Sequence, residues 1–130
     1  MTTTGLKGKE LVYLACPYSH DDPAVMQQRY ETANLIAGQL MQMDYYVFSP
    51  LSHSHPITQQ CRMNAVDHDF WLAQDCAIFM HCELMMIVDI DGWKDSYGIQ
   101  LEIQWAMDLD MPIVLVKVSN GRIIGFETEF

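Results

Sequence analysis

The chain is short of positive charge: seven lysines and arginines stand against 17 aspartates and glutamates, a formal charge of −10 over 130 residues. With no basic cluster to displace counterions, the composition argues against a general phosphate-backbone binder, and no nucleic-acid partner is expected. A small anionic ligand stays open, because backbone amides hold phosphate without many cations. No apolar run approaches 18 residues and no signal peptide is evident, so no membrane association is expected. The four cysteines, Cys16, Cys61, Cys76 and Cys82, form no C-x-x-C pair and no dense framework. That usage fits a reduced, cytoplasmic protein. Repeats and linkers are also missing, and the length suits one domain over residues 1–130.

What is present is a globular composition: half the residues are apolar and 18% are charged. Met1 to Lys9 is polar and reads as loose. Glu10 to Cys16 (ELVYLAC) reads as a buried first strand stopped by Pro17. Asp21-Asp22-Pro23 is a helix start, with an acid at the cap and proline just inside. Met26, Tyr30, Ala33, Ala37, Leu40 and Met41 then recur at helical spacing to about Met43. Tyr45 to Ser49 is a second strand closed by Pro50, and the crossover length implies parallel pairing. Leu51 to Ile57 (LSHSHPI) reads as a loop with two histidines, followed by a helix between Thr58 and Met80 that breaks near Asp67. Leu84 to Ile90, Ser96 to Leu109 and Pro112 to Val118 read as strand, helix and strand. The tail from Ser119 to Phe130 reads as a short hairpin or a partner-contacting arm. Strands alternating with helices predict a three-layer α/β sandwich with a parallel sheet of four or five strands.

The richest stretch runs from Leu84 to Glu102 (LMMIVDIDGWKDSYGIQLE). Ile99, Ile103 and Ala106 form one apolar stripe, and Glu102 falls on its edge, leaning toward the sheet. A carboxylate near the carboxyl end of a buried strand sits where open α/β sheets place ligands. Tyr13 alternates with Val12 and Leu14, so it faces the other side of the sheet from them. Its bland reading is a sheet tyrosine with a satisfied hydroxyl. Asp75, among Ala73, Cys76, Ala77, Ile78 and Phe79, reads as an acid on a mostly buried helix. It is either a paired structural carboxylate or a proton donor whose pKa burial has raised. Ser96 reads as a helix cap whose amide and hydroxyl could also hold an anion. Asp67 and Asp69 read as the beginning of a helix, and Asp91-Gly92 as a turn. Cys16 is better placed as a core thiol than as a nucleophile. His53 and His55 with His81 and Cys82 lack the paired spacing of a zinc site, so no metal is expected. Among ten methionines, Met85 and Met86 read as core filler, and Met41, Met43 and Met107 as helix faces.

These motifs together resemble the nucleoside 2-deoxyribosyltransferase superfamily, which includes 2′-deoxynucleoside 5′-monophosphate N-glycosidases. The resemblance rests on Tyr13 to Pro17, on Asp75 with Glu83, and on Ser96-Tyr97-Gly98-Ile99-Gln100-Leu101-Glu102, over about residues 10 to 118. It implies a flavodoxin-like sheet, a homodimer or homotetramer, a small-molecule nucleoside or nucleotide as substrate, and no cofactor. It further implies that Glu102 attacks the anomeric carbon, Tyr13 orients Glu102, and Asp75 protonates or orients the departing base. Ser96, Gly98 and the segment Cys16, Pro17 and Ser19 would hold sugar or phosphate oxygens. The chain departs from the nucleotide hydrolases where their glycine-rich phosphate loop is replaced by Cys16-Pro17-Tyr18-Ser19-His20. Ser96, by contrast, is similar to that branch, the transferases tending to carry aspartate there. A non-catalytic nucleotide-binding or sensing module on the same fold is the competing expectation. A cysteine- or zinc-dependent hydrolase is a third.

Overall fold

The computed structural model describes residues 9–130; of the loose segment expected at Met1 to Lys9, all but Lys9 lies outside the described residues. Ten elements follow in order: β1 (Leu11–Ala15), α1 (Pro23–Gln42), β2 (Tyr46–Phe48), α2 (Pro50–Cys61), α3 (His68–Phe79), β3 (Leu84–Asp89), a 3-10 turn (Trp93–Asp95), α4 (Tyr97–Asp108), β4 (Ile113–Ser119) and β5 (Arg122–Glu127). The five strands form one sheet in the order β2-β1-β3-β4-β5. β2, β1, β3 and β4 pair in parallel, and β5 returns antiparallel to β4. This is the flavodoxin-like order, in which the crossovers reverse direction between β1 and β3.

Alternation along the central strands divides the core into two layers. Val12 and Leu14 of β1, with Met86 and Val88 of β3, pack against Ile36, Ala37 and Leu40 of α1. Tyr13 and Ala15, with Met85 and Ile87, face the opposite layer beside Phe79 of α3 and Ile99 and Ala106 of α4. Both methionines of β3 are fully buried, as a strand covered on both faces requires. Met41 and Met107 lie on exposed helix faces.

Local chemistry explains the element ends. Asp22 accepts from the Ala24 amide and Pro23 opens α1. Asp67 accepts from the Phe70 amide and starts α3, and Ser96 accepts from the Ile99 amide and starts α4. The tail is a hairpin: Asn120 (φ 51°) and Gly121 (φ 75°) both take the left-handed region, the signature of a two-residue type I′ turn. Gln39 of α1 then docks β5 through the Ile123 amide and the Gly121 carbonyl.

Two expectations are corrected. The histidine-bearing segment is not a loop: α2 already begins at Pro50, with Ser49 at its cap, and runs through Pro56 to Cys61. Proline at the first helical position costs nothing, since that amide has no intrahelical partner; Pro56 removes one donor without ending the helix. Nor is α3 mostly buried. Only Asp75 and Phe79 are buried on it, so its many apolar residues are largely on the outside and Asp75 is one of its two inward anchors.

Candidate active site

The candidate site lies where the crossover direction changes, at the carboxyl ends of β1 and β3 and over the sheet face carrying α3 and α4. Tyr13 projects from the middle of β1 into that layer, wholly buried, and packs edge-on against Phe79 at 4.7 Å between ring centres. Its hydroxyl donates to Oε2 of Glu102 at 2.5 Å. Glu102 sits in the second turn of α4, on the same face as Ile99 and Ala106, and is 7% exposed; Asp75 of α3 is 8% exposed. Three chain segments far apart in sequence thus place a phenol and two carboxyls in one buried group.

The electrostatics follow from burial without a cation. No lysine or arginine lines the inner cavity that Asp75 and Glu102 face. Desolvation lifts the Glu102 carboxyl to about 8; the hydrogen bond from Tyr13 opposes that rise, and the charge of Asp75 adds to it. Desolvation likewise lifts Asp75 to about 7, again opposed by Tyr13. Tyr13 itself is held well above its ordinary value, by burial and then by the charges of Glu102 and Asp75. The three groups titrate as one coupled set, and near neutrality the two carboxyls share protons rather than both ionising.

The inner cavity holds about 100 Å³, and besides the acids its walls include Cys16, Tyr18, Ser19, Trp71, Ser96 and Gly98. An outer cavity of about 390 Å³, lined among others by Pro17, His20, Arg29 and Tyr97, shares Tyr18, Ser19, His68 and Ser96 with it. The residues expected at the site are therefore brought together with two qualifications of place. Tyr13 supports Glu102 from behind the cavity wall, and Pro17 faces the outer space. Cys16 is a structural thiol: it donates to the Arg29 carbonyl, and burial pushes it up to about 12. Glu83 does not join Asp75. It accepts from the Leu11 amide at 2.9 Å and helps align β3 with β1.

Residues that the sequence did not single out also shape the site. Trp71 and His68 come from the exposed helix α3, where no periodic signal marks them. Arg29 is the cation of the outer cavity: its guanidinium donates to the carbonyls of Tyr18, Ser19 and Asp91, tying the loop after β1 to the loop after β3. Gly92 lies against it with φ 96°, and a Cβ there would come within 2.5 Å of Arg29 Nη2. Among the described residues, no group of three or more His, Cys, Asp or Glu is arranged to hold a metal ion. Nor, among them, is any helix long and apolar enough to cross a membrane.

Comparison with curated proteins finds no match. Residues 10–118, from just before β1 to the penultimate residue of β4, match the family described as a domain of unknown function, DUF1937. That span holds all of the inner cavity, and the chain belongs to the DUF1937 family.

Proposed function

We propose that this protein cleaves or transfers at the N-glycosidic bond of a (deoxy)nucleoside or its 5′-monophosphate, with Glu102 as nucleophile. The observation that carries the reading is the buried Tyr13–Glu102 hydrogen bond of 2.5 Å beside a second buried carboxyl at the floor of a cavity. Two carboxyls in one site are the usual equipment of glycosyl transfer: one attacks, the other moves the proton.

The phenol helps assign the roles. Tyr13 has one hydroxyl hydrogen and gives it to Glu102, and such a bond is strongest when the acceptor is ionised. That bond supports the reacting state, with Glu102 as carboxylate and Asp75 as acid, although burial alone leaves the shared proton held more tightly by Glu102, at about 8, than by Asp75, at about 7. Glu102 then attacks the anomeric carbon, the glycosidic C–N bond breaks, and its electron pair leaves with the base. Asp75 gives its proton to the base nitrogen. In the second half, water or another base attacks the same carbon, the Glu102–sugar bond breaks, and Asp75 takes back a proton. A cavity of about 100 Å³ is well below the roughly 300 Å³ of small drug-sized pockets. It suits the sugar ring, with the base or phosphate extending into the outer space. Ser96, Gly98, Ser19 and the amides following Cys16 would hold sugar or phosphate oxygens.

The test is incubation with deoxynucleosides and their monophosphates, followed by chromatography for free base. Release that Glu102→Ala abolishes supports the reading; full turnover in Glu102→Gln overturns it. Thermal stabilisation by the same compounds without base release would instead identify a nucleotide-sensing module. One observation favours that second reading: with Glu102 lifted to about 8 by burial, much of the nucleophile is protonated at neutral pH in the free protein.

A further inference from the structure

The two histidines of α2 have very different surroundings. His53 is exposed, whereas His55 is buried and stacked on Tyr30 at 4.0 Å between ring centres. Both of its ring nitrogens are engaged: Nδ1 lies 2.7 Å from the Tyr18 hydroxyl, and Nε2 lies 3.0 Å from Oε1 of Gln27. The Gln27 amide nitrogen in turn donates to Glu31 at 3.1 Å.

The direction of this chain can be read from its outer end. An ionised Glu31 only accepts, so the amide nitrogen of Gln27 faces it and the amide oxygen faces His55. That oxygen also only accepts, so Nε2 of His55 carries the ring hydrogen. Nδ1 is then a lone pair, and the hydrogen of the Tyr18 hydroxyl goes to it. Tyr18 lines both the inner and the outer cavity and, with His55 and Gln27, the groove beside α2, and its carbonyl is held by Arg29. The ring in the wall is thus anchored at both ends, with its one donor already spent.

We propose that His55 is the residue that positions Tyr18 in the wall of the cavity and fixes its hydroxyl as an acceptor. The hydroxyl then accepts from an O–H or N–H of the ligand and disfavours a phosphate or carboxylate at that wall. This rests on the nucleoside reading for the ligand class, but the hydrogen-bond direction is independent of it. Protonating His55 reverses the inner link alone: Nδ1 becomes a donor to Tyr18, whose hydrogen is freed for the ligand, while Nε2 goes on donating to Gln27. The groups facing the ring are Tyr18 from the β1–α1 loop and Tyr30 and Gln27 from α1, with Glu31 reaching it only through Gln27. On its own helix, Thr58 donates to the His55 carbonyl, and Arg62 lines the groove alongside. Burial lowers the His55 pKa from its ordinary 6.5, so the reversal belongs below that pH.

The experiment has two arms on the full chain. Long-range proton–nitrogen NMR of the free protein at neutral pH reads which His55 nitrogen carries hydrogen. Nε2 is expected, and a hydrogen on Nδ1 overturns the proposal whatever the protein's activity. The second arm compares KM and kcat for deoxynucleoside hydrolysis, or calorimetric affinity on Glu102→Gln, in Tyr18→Phe, His55→Gln, His55→Asn and the double variant Tyr18→Phe/His55→Gln. Asparagine keeps an acceptor at the Nδ1 position, whereas glutamine keeps only the outer link. Tyr18→Phe and His55→Gln should each raise KM by about 3- to 10-fold with little change in kcat, as for one net hydrogen bond. The double variant should add nothing, and His55→Asn should stay near wild type at pH 7 while losing the part of the KM change between pH 7 and 5 that Tyr18→Phe also loses, the rest belonging to Asp75 and Glu102. Additive single effects, or a His55→Asn pH profile identical to wild type when that of Tyr18→Phe differs, overturn the proposal. A wild type that neither binds nor cleaves nucleosides overturns the nucleoside reading and the ligand preference, leaving the NMR arm to decide the direction of the chain.

Discussion

Replacing Glu102 by glutamine should make the protein more stable in alkaline solution, even though it is expected to abolish turnover. The carboxyl has to climb from its ordinary 4.5 to about 8 because it is buried among apolar side chains. A group whose folded pKa is raised binds its proton more tightly in the folded state. Its contribution is complete below about 4.5 and is lost as pH rises toward 8. At about 1.4 kcal/mol per pH unit, the loss between pH 5 and pH 9 is about 4 kcal/mol. That is a large share of the 5–15 kcal/mol that holds a typical domain folded. Glutamine cannot ionise, fills nearly the same volume, and offers a carbonyl oxygen to the Tyr13 hydroxyl. Asp75 contributes a slope of the same sign to both proteins, so the difference between them reads Glu102 together with its coupling to Asp75. Urea unfolding at pH 5, 7 and 9 reads it: the midpoints should be close at pH 5 and separate by about 2 M at pH 9, for a small-domain slope of about 2 kcal/mol per molar. Parallel pH curves for the two proteins would refute the reasoning, since Glu102 would then ionise near its ordinary value and could not be sealed beneath Tyr13.

Three further outcomes follow from the same site. Tyr13→Phe removes the hydrogen bond that holds Glu102 down, so the acid limb of the rate profile should move to higher pH and kcat should fall about 10- to 100-fold, as for a displaced reacting group; an unmoved acid limb would contradict the role. Asp75→Asn should lower turnover about 10²- to 10⁴-fold. The deficit should shrink for synthetic substrates whose leaving group needs no proton, and an equal loss on both would remove Asp75 as the acid. Gly92→Ala combines a left-handed backbone position with a 2.5 Å clash against Arg29. It should cost about 1–3 kcal/mol by chemical denaturation, and a neutral result would mean that the loop relaxes freely.

The layered fold was legible because the strands covered on both faces are uninterrupted apolar runs and because Asp22, Asp67 and Ser96 carry their capping chemistry openly. Glu102 was legible for the same reason: one polar residue on the stripe of Ile99 and Ala106 has to be buried. The α2 helix was misread because Ser-His-Ser-His-Pro carries no apolar period. Its helix depends on Pro50 at the first turn and on burial of Leu51, His55 and Thr58, which is tertiary information. The burial of Asp75 was anticipated for a reason that does not hold, since the apolar neighbours counted as its shelter largely face outward. Its burial comes from the single line it shares with Phe79, four positions on. The Asn120-Gly121 pair was a readable turn signal for the last hairpin. Arg29 carried none and Tyr18 was marked only as part of the loop after β1, because their roles arise from loops that meet only once the sheet is assembled.

The guanidinium of Arg29, holding carbonyls on both sides of the outer cavity, has a consequence for motion. Two rims fastened to one planar, always-charged group are coupled through it; withdrawal of that side chain loosens both. Access to the interior should therefore be governed by a single event, the release of that side chain. Amide hydrogen exchange would register it as one shared opening rate for the segments around Ser19 and Gly92.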